Sequence, residues 1–298
     1  MNNQDHNFCQ QITGKSQLLG VIGHPIEHSL SPLMHNAALS NLGLDYVYLP
    51  FPIAPENLEI AIAGFAAMGV VGFSVTIPHK QTIIPLLSEI SPVAEAIGAV
   101  NTVTRQGDKW VGTNTDVEGF IAPLQTTYQQ NWSQKKAVIL GNGGAARAVV
   151  AGCIQLGFSE IHVVGRNIYK LKDFRQSWEN SPFIDKFQVH NWEELPNLIS
   201  QADLLVNSTP VGMYPHVDQS PLSAEEMEKL PAGAIAYDLI YIPKPTKFLH
   251  LAAQQGAVII DGLEMLVQQG AAALKIWLQR EEVPVAKMRQ ALQNHLGI

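Results

Sequence analysis

Cysteine is scarce in this chain: Cys9 and Cys153 are the two among 298 residues. Two cysteines make no disulfide framework, and this pair has no metal-ligand spacing. The expected setting is therefore the reduced cytoplasm. Charge is sparse too, at 15% of residues with a net of −7. That argues against a nucleic-acid partner, because such proteins carry a basic face. Long apolar runs are missing, since no stretch reaches the roughly 18 residues of a membrane span. The start, Met1 to Gln11, is polar without the basic-then-apolar order of a secretory signal, and reads as a loose tail. Gly14-Lys15-Ser16 lacks the glycine that a P-loop needs five residues earlier, where Cys9 stands. His24, His28 and His35 lack a zinc pattern, because Pro25 breaks the helix that would align the first two and no carboxylate falls at a ligand spacing. No metal site is expected.

What remains is a chain that is 46% hydrophobic, enough for packed cores. Its length suits two domains, at about 100–200 residues each. The organising stretch is Ala137 to Ala148. Ala137 to Leu140 reads as a buried strand, Gly141, Asn142, Gly143 and Gly144 as a turn, and the alanine-rich run from Ala145 as a helix. Strand, glycine turn and helix place backbone N–H groups and a positive helix end against a phosphate. The spacing Gly141-x-Gly143-x-x-Ala146 fits the dinucleotide fingerprint.

Upstream, Leu18 to Gly23 reads as a strand that enters the loop His24 to Pro32. Ser29 and Ser31 lie just before a helix running to Leu42. Two roles fit Ser31: an N-cap ahead of Pro32, or a hydroxyl offered with Ser29 to a carboxylate. Asp45–Phe51 and Val70–Thr76 read as strands around a helical stretch, Pro55–Met68. Lys80 follows the second strand by a short turn, which is either an ordinary surface position or the place where open α/β sheets hold ligands. Gly98-Ala-Val-Asn-Thr102 and Gly112-Thr-Asn-Thr-Asp116 are expected at the ends of two strands. Asp116 either caps the next helix or faces the same ligand as Lys80.

From Ala137 onward strands and helices alternate in a doubly wound, parallel pattern. The strand Ile161 to Val164 ends in Gly165-Arg-Asn167, without the Asp or Glu that an NAD site presents to the ribose. Arg166 and Lys170 stand there instead, which favours the 2′-phosphate of NADP over solvated surface cations. Asn207 to Met213 and Asp238 to Pro243 end two further strands. Gly262 to Arg280 and Pro284 to Leu296 read as two helices that do not extend the pattern and are expected to return to the first domain.

In this order the motifs are Gly23-x-Pro-Ile-x-His-Ser-x-Ser-Pro-x-x-His-Asn36, Val75-Thr-x-Pro-x-Lys80, Gly98-Ala-Val-Asn-Thr102, Asn114-Thr-Asp116, Gly141-x-Gly-Gly-Ala-x-Arg147, Asn207-x-Thr-Pro-x-Gly-Met213, Asp238 to Tyr241, and Gly262-x-x-Met-Leu-Val-x-Gln269. Along nearly its whole length the chain resembles shikimate dehydrogenases. The resemblance implies NADP-linked, reversible reduction of 3-dehydroshikimate to shikimate in aromatic amino-acid biosynthesis. Rival readings are a quinate/shikimate dehydrogenase and a non-catalytic NADP-binding regulator. The resemblance also implies a small-molecule substrate, no nucleic-acid or membrane partner, and a monomer or homodimer.

By the same resemblance Lys80 and Asp116 are the catalytic pair. Ser29, Ser31, Thr76, Asn101, Tyr241 and Gln269 contact substrate. Gly141, Asn142, Gly143, Gly144 and Ala145 hold the pyrophosphate, and Arg166, Asn167 and Lys170 the 2′-phosphate. Asn207, Thr209, Met213, Leu239, Gly262 and Met265 border the cofactor. Two positions depart from the family: Ser74 replaces a usual Asn, and Gly165-Arg-Asn167 replaces Asn-Arg-Thr. The implied fold is α/β, with an N-terminal α/β substrate domain (1–115 and 262–298) and a Rossmann-like NADP-binding domain (116–261). For one substrate to meet all these residues, Lys80, Asp116 and Gln269 should line one cleft opposite Gly141 to Ala145. Leu263, Leu266 and Leu274 should then pack partly on first-domain residues.

Overall fold

The computed structural model describes residues 12–127 and 131–298. By internal contact it divides into one unit of residues up to 90, 100–113 and 270–298, and a second of 91–99 and 114–269.

The first unit is built on β1 (Gln17–Gly23), β2 (Tyr46–Pro52), β3 (Gly72–Val75), β4 (Glu89–Ile90), β5 (Thr102–Gln106) and β6 (Lys109–Thr113), in the order β2-β1-β3-β5-β6-β4. β2, β1 and β3 run parallel, while β5 is antiparallel to both β3 and β6. This corrects one expectation. Gly98–Thr102 leads into a strand rather than ending one. Because β5 is reversed, its start pairs with the end of β3 (Ser74 with Thr102) and the end of β6 (Thr102 with Thr113). The loops after β1 and β3 and the approach to β5 therefore share one edge.

The second unit carries β7 (Lys136–Leu140), β8 (Glu160–Gly165), β9 (Gln188–Asn191), β10 (Leu204–Asn207), β11 (Ile235–Asp238) and β12 (Val258–Ile260). All pair in parallel, in the order β12-β11-β10-β7-β8-β9. This is the doubly wound dinucleotide-fold order, with its reversal between β7 and β10. Successive side chains point to opposite faces, and both faces are covered. Ala137, Ile139, Leu204, Val206, Ile235 and Tyr237 join one core, while Val138, Leu140, Leu205 and Ala236 join the other. β9 was not foreseen, because Gln188-Val-His-Asn191 offers one apolar residue in four and lies at the sheet edge.

The helix Gly144–Leu156 packs closely through its small residues. A Cβ at Gly152 would come within 2.5 Å of the Phe120 ring, which belongs to the helix Asp116–Thr127. The unit boundaries differ from the expected 115/116 and 261/262. Residues 91–99 and 114–115 count with the second unit, where Arg147 Nη1 donates to the Ile97 carbonyl at 2.7 Å. The helix Leu263–Leu278 changes unit at Gly270. Met265 joins a core of the second unit, and Leu263 and Leu266 count with it. Leu274 is fully buried in the first unit's part of the helix, and Trp277 Nε1 donates there to the Val103 carbonyl at 2.9 Å. The last helix, Val285–Leu296, packs on Ser31–Asn41 of the first unit.

Candidate active site

In the first unit, β1 ends at Gly23, where an added Cβ would approach Thr76 Cγ2 to 2.6 Å and Ile26 Cδ1 to 2.9 Å. Glycine lets the loop after β1 press against the end of β3. That loop carries Ser29 and Ser31. Capping does not account for Ser31: the N-cap of the helix is Leu30, with helical backbone angles and no side-chain bond, and Ser31 is the first helical residue. Ser29 Oγ accepts the Ser31 N–H at 3.3 Å. Thr76 and Lys80 are half-buried beyond β3, and Lys80 falls in the short helix His79–Thr82. The Lys80 carbonyl accepts from Val100 N–H at 2.8 Å, tying the lysine turn to the segment that carries Asn101. Asn101 is buried; its carbonyl accepts from Val75 N–H at 2.7 Å, and its Oδ1 accepts from Thr102 Oγ1 at 2.9 Å. Ser29, Thr76, Lys80 and Asn101 thus gather at one sheet edge.

In the second unit, Asp116 is buried and opens the helix Asp116–Thr127. Its N–H donates to Asn114 Oδ1 at 3.0 Å, and Asn114 Nδ2 donates to the Ala99 carbonyl at 3.0 Å. Asp116 is therefore inside the helix rather than capping it, with its carboxylate at the positive end. That helix crosses Leu263–Leu278 at Gly119, where an added Cβ would lie 2.8 Å from Gln269 Cβ and from the Met265 carbonyl. Asp116 and Gln269 thus stand on two helices in direct contact. Gln269 is half-buried and folds back, its Nε2 donating to the Leu266 carbonyl at 2.7 Å. Tyr241 and Leu239 are half-buried beyond β11. Gly262 closes on this loop so tightly that a Cβ would lie 2.1 Å from the Leu239 carbonyl oxygen.

The glycine turn follows β7. Gly141 has φ +104°, and a Cβ there would meet Ser208 Oγ and Thr209 Cγ2, each at 3.0 Å. At Gly143 a Cβ would meet nothing within 4 Å. The helix Gly144–Leu156 starts with no side-chain cap and no acid in its first turn. Its N-terminal N–H groups and positive end are the features that suit a phosphate. Asn142 Oδ1 lies 3.6 Å from the Cβ position of Gly165, beside the end of β8. Arg166 and Lys170 follow, both exposed. Asn167 caps the next helix, since its Oδ1 accepts from Tyr169 and Lys170 N–H at 3.0 and 3.1 Å.

Asn207 also organises its own loop. It is fully buried, and its Nδ2 donates to Asp238 Oδ1 at 3.0 Å while its Oδ1 accepts from Thr209 Oγ1 at 2.7 Å and Thr209 N–H at 3.0 Å. It shapes the loop that carries Thr209 and the exposed Met213. Asp238, its register partner, also accepts from Thr246 Oγ1 at 2.6 Å and Ile240 N–H at 3.1 Å. Burial outweighs these bonds and pushes its carboxyl up to about 7. The sequence motifs gave Asp238 no role of its own. The spacing of an acid at a strand end and a threonine opening the next helix could have suggested the pair. Arg147, the last residue of the glycine motif, turns away into the core. It is 3% exposed, over the rings of Phe174 and Trp178, and burial pulls its guanidinium down to about 10.

Among the described residues no group of three or more His, Cys, Asp or Glu is arranged to hold a metal ion, and no helix is long and apolar enough to cross a membrane.

Family models match three segments: the shikimate dehydrogenase substrate binding domain over residues 21–103, shikimate/quinate 5-dehydrogenase over 124–230, and the shikimate 5′-dehydrogenase C-terminal domain over 262–293. The chain is 76% identical over 287 residues to the NADP(+) shikimate dehydrogenase of Nostoc sp., covering 96% of this chain and 99% of that one. Among solved structures, a shikimate dehydrogenase in complex with NADP+ superposes with a TM-score of 0.84 at 39% identity, covering 96% of this chain and 98% of the other. Shikimate 5-dehydrogenase from Listeria monocytogenes, in complex with shikimate and NAD, gives 0.83 at 35% identity, covering 95% and 98%. With the motifs, the two sheet edges and these likenesses together, the chain belongs to the shikimate dehydrogenase family.

Proposed function

We propose that the protein catalyses the reversible, NADPH-dependent reduction of 3-dehydroshikimate to shikimate, a step of aromatic amino-acid biosynthesis, in the cytoplasm and as a monomer or homodimer. The observation that carries the reading is that each unit has an edge of its own: the first gathers Ser29, Thr76, Lys80 and Asn101, the second carries the open glycine turn and Arg166. The near-complete likeness to a named NADP(+) shikimate dehydrogenase supports the substrate.

The residues present fit a dinucleotide with a 2′-phosphate. The uncapped helix end behind Gly141–Ala145 suits a pyrophosphate, and two cations without a carboxylate after β8 suit the extra phosphate. Leu239, Gly262 and Met265 border the nicotinamide, with Thr209 and Met213 on the neighbouring loop. The cofactor supplies the hydride. The protein orients substrate and manages the proton. Ser29 and Ser31 donate to the substrate carboxylate, while Thr76, Asn101, Tyr241 and Gln269 bind its hydroxyl groups. Lys80 gives a proton to the ketone oxygen as it becomes a hydroxyl, and takes it back in the reverse direction. Asp116 holds the hydroxyl next to that oxygen. An absorbance assay at the NADPH band, run with shikimate and with quinate against each cofactor, tests this. NADP-linked turnover of shikimate is expected; preference for quinate, or no turnover, overturns it.

A further inference from the structure

β8 and β9 are paired parallel strands, and Gly165 lies opposite Asn191 in their register. The next residue along each is Arg166 and Trp192, which the register sets side by side. The Arg166 guanidinium carbon stands 5.2 Å from the centroid of the Trp192 ring, within the range of a cation–π contact. The ring is itself held. Trp192 Nε1 donates to Glu226 Oε1 at 3.3 Å, and the other carboxylate oxygen of Glu226 accepts from Ser223 N–H at 2.7 Å. Glu226 N–H donates back to Ser223 Oγ at 3.1 Å, a reciprocal cap on the helix Ala224–Met227. The indole also packs against the core on that side of the second sheet.

We infer that Trp192 is a positioning residue for cofactor choice: it holds the flat face of Arg166 so that the guanidinium is already aimed when a 2′-phosphate arrives. This rests on the 2′-phosphate reading of Arg166 given above. An exposed arginine gives up rotamer freedom when it grips a phosphate. Stacking on a fixed indole removes part of that cost in advance, which is preorganisation. NADH carries no 2′-phosphate, so the benefit falls on NADPH alone. The local motif shows the arginine alone; its aromatic partner lies just past the adjoining strand and is invisible there.

The test measures KM and kcat for NADPH and NADH, and inhibition by adenosine 2′,5′-bisphosphate and by 5′-AMP, in Trp192→Leu, Trp192→Met, Trp192→Phe and Arg166→Ala. Trp192→Leu and Trp192→Met are expected to raise the NADPH KM and the bisphosphate inhibition constant about two- to fivefold, the size of an exposed cation–π contact, with NADH and 5′-AMP unmoved. Trp192→Phe, which keeps a ring face, should restore most of the parent behaviour. In an Arg166→Ala background Trp192→Leu should change nothing further. Equal losses for both cofactors, no loss, a phenylalanine no better than leucine, or failure of both aliphatic variants to fold would overturn the inference. If Arg166→Ala itself leaves the NADPH-to-NADH ratio untouched, the 2′-phosphate reading fails first. If that ratio collapses while the Trp192 variants leave it intact, only the role of Trp192 fails.

Discussion

In the second unit every strand points the same way, so the loops after β7, β8, β10 and β11 reach one edge by topology alone. In the first unit β5 runs backwards, and its approach segment, not its exit loop, brings Asn101 to the edge that holds Lys80. The second sheet is buried on both faces and positions backbone: a glycine turn, an uncapped helix end, a loop tied to Asp238. The first presents side chains with hydrogen-bonding and acid–base chemistry. Parallel order brings several loops and a helix N-terminus to one edge, whereas a mixed sheet lets segments of opposite direction bring side chains to one edge.

The largest effect that would separate the two edges is Lys80→Ala. It should cut kcat by about 10²–10⁴, the usual yield of general acid–base catalysis, while the KM for NADPH stays near the parent value. A kcat close to the parent would remove Lys80 from the chemistry. Next, Arg166→Ala should weaken NADPH roughly ten- to a hundredfold, through loss of a charge-assisted contact of about 1.5–3 kcal/mol, with NADH little changed; steady-state KM values for both cofactors check it. Gly141→Ala should cost about 1–3 kcal/mol of backbone strain, because φ is +104° and Ser208 and Thr209 crowd the new methyl. Its signature is a raised NADPH KM with the shikimate KM held, and loss of shikimate binding instead would blur the division of labour.

The smallest effect in the parent protein is on stability against pH, because the two units respond in opposite senses. His35, fully buried in the first unit and stacked on Tyr48, has its imidazole pulled down to about 3 by burial. Between there and its ordinary value of 6.5, the unfolded chain binds a proton that the native state refuses. Stability from this site is therefore lost as pH falls below that ordinary value. Asp238 is raised from 3.8 to about 7. In that window the native state holds a proton that the unfolded chain has released, so stability from this site falls as pH rises. Denaturant midpoints between about pH 4 and 7 should lose their acid decline in His35→Phe and steepen it in Asp238→Asn. Neither ring nitrogen of His35 has a hydrogen-bond partner among the described residues, so phenylalanine sacrifices none. Unchanged slopes in both variants would show that neither group titrates as its burial implies.

Much of this architecture was legible in the sequence because it is written locally. The apolar runs at Gly23, Gly141, Gly165, Asn207 and Asp238 are strands, and each is followed by a loop that carries one of the motifs. What stayed hidden depends on distant partners. The direction of β5 is decided by which strands it pairs with, and no periodicity reports that. The bond from Asn207 to Asp238, 31 residues on, joins two strand ends that no local motif connects. Ser31 reads equally as a cap or a ligand hydroxyl until the backbone assigns the cap position to Leu30. β9 lacks an apolar pattern because an edge strand with little to bury needs none, and Trp192 beyond it gains its meaning only from Arg166 alongside.

The closing helix Val285–Leu296 packs on Ser31–Asn41, and Gly270 lies where an added methyl would strike Met34. During synthesis the ribosome therefore delivers the first unit in instalments. β1 to β3 emerge early, but their helical cover follows only after the whole of the second unit has been made. The second unit, whose last residue is Gln269, has its own six strands in hand while the first still lacks its final helices. The unit begun first thus receives the segment 270–298 only after the second unit has been made, and until then the apolar faces of Met34, His35 and Leu39 await their partners there.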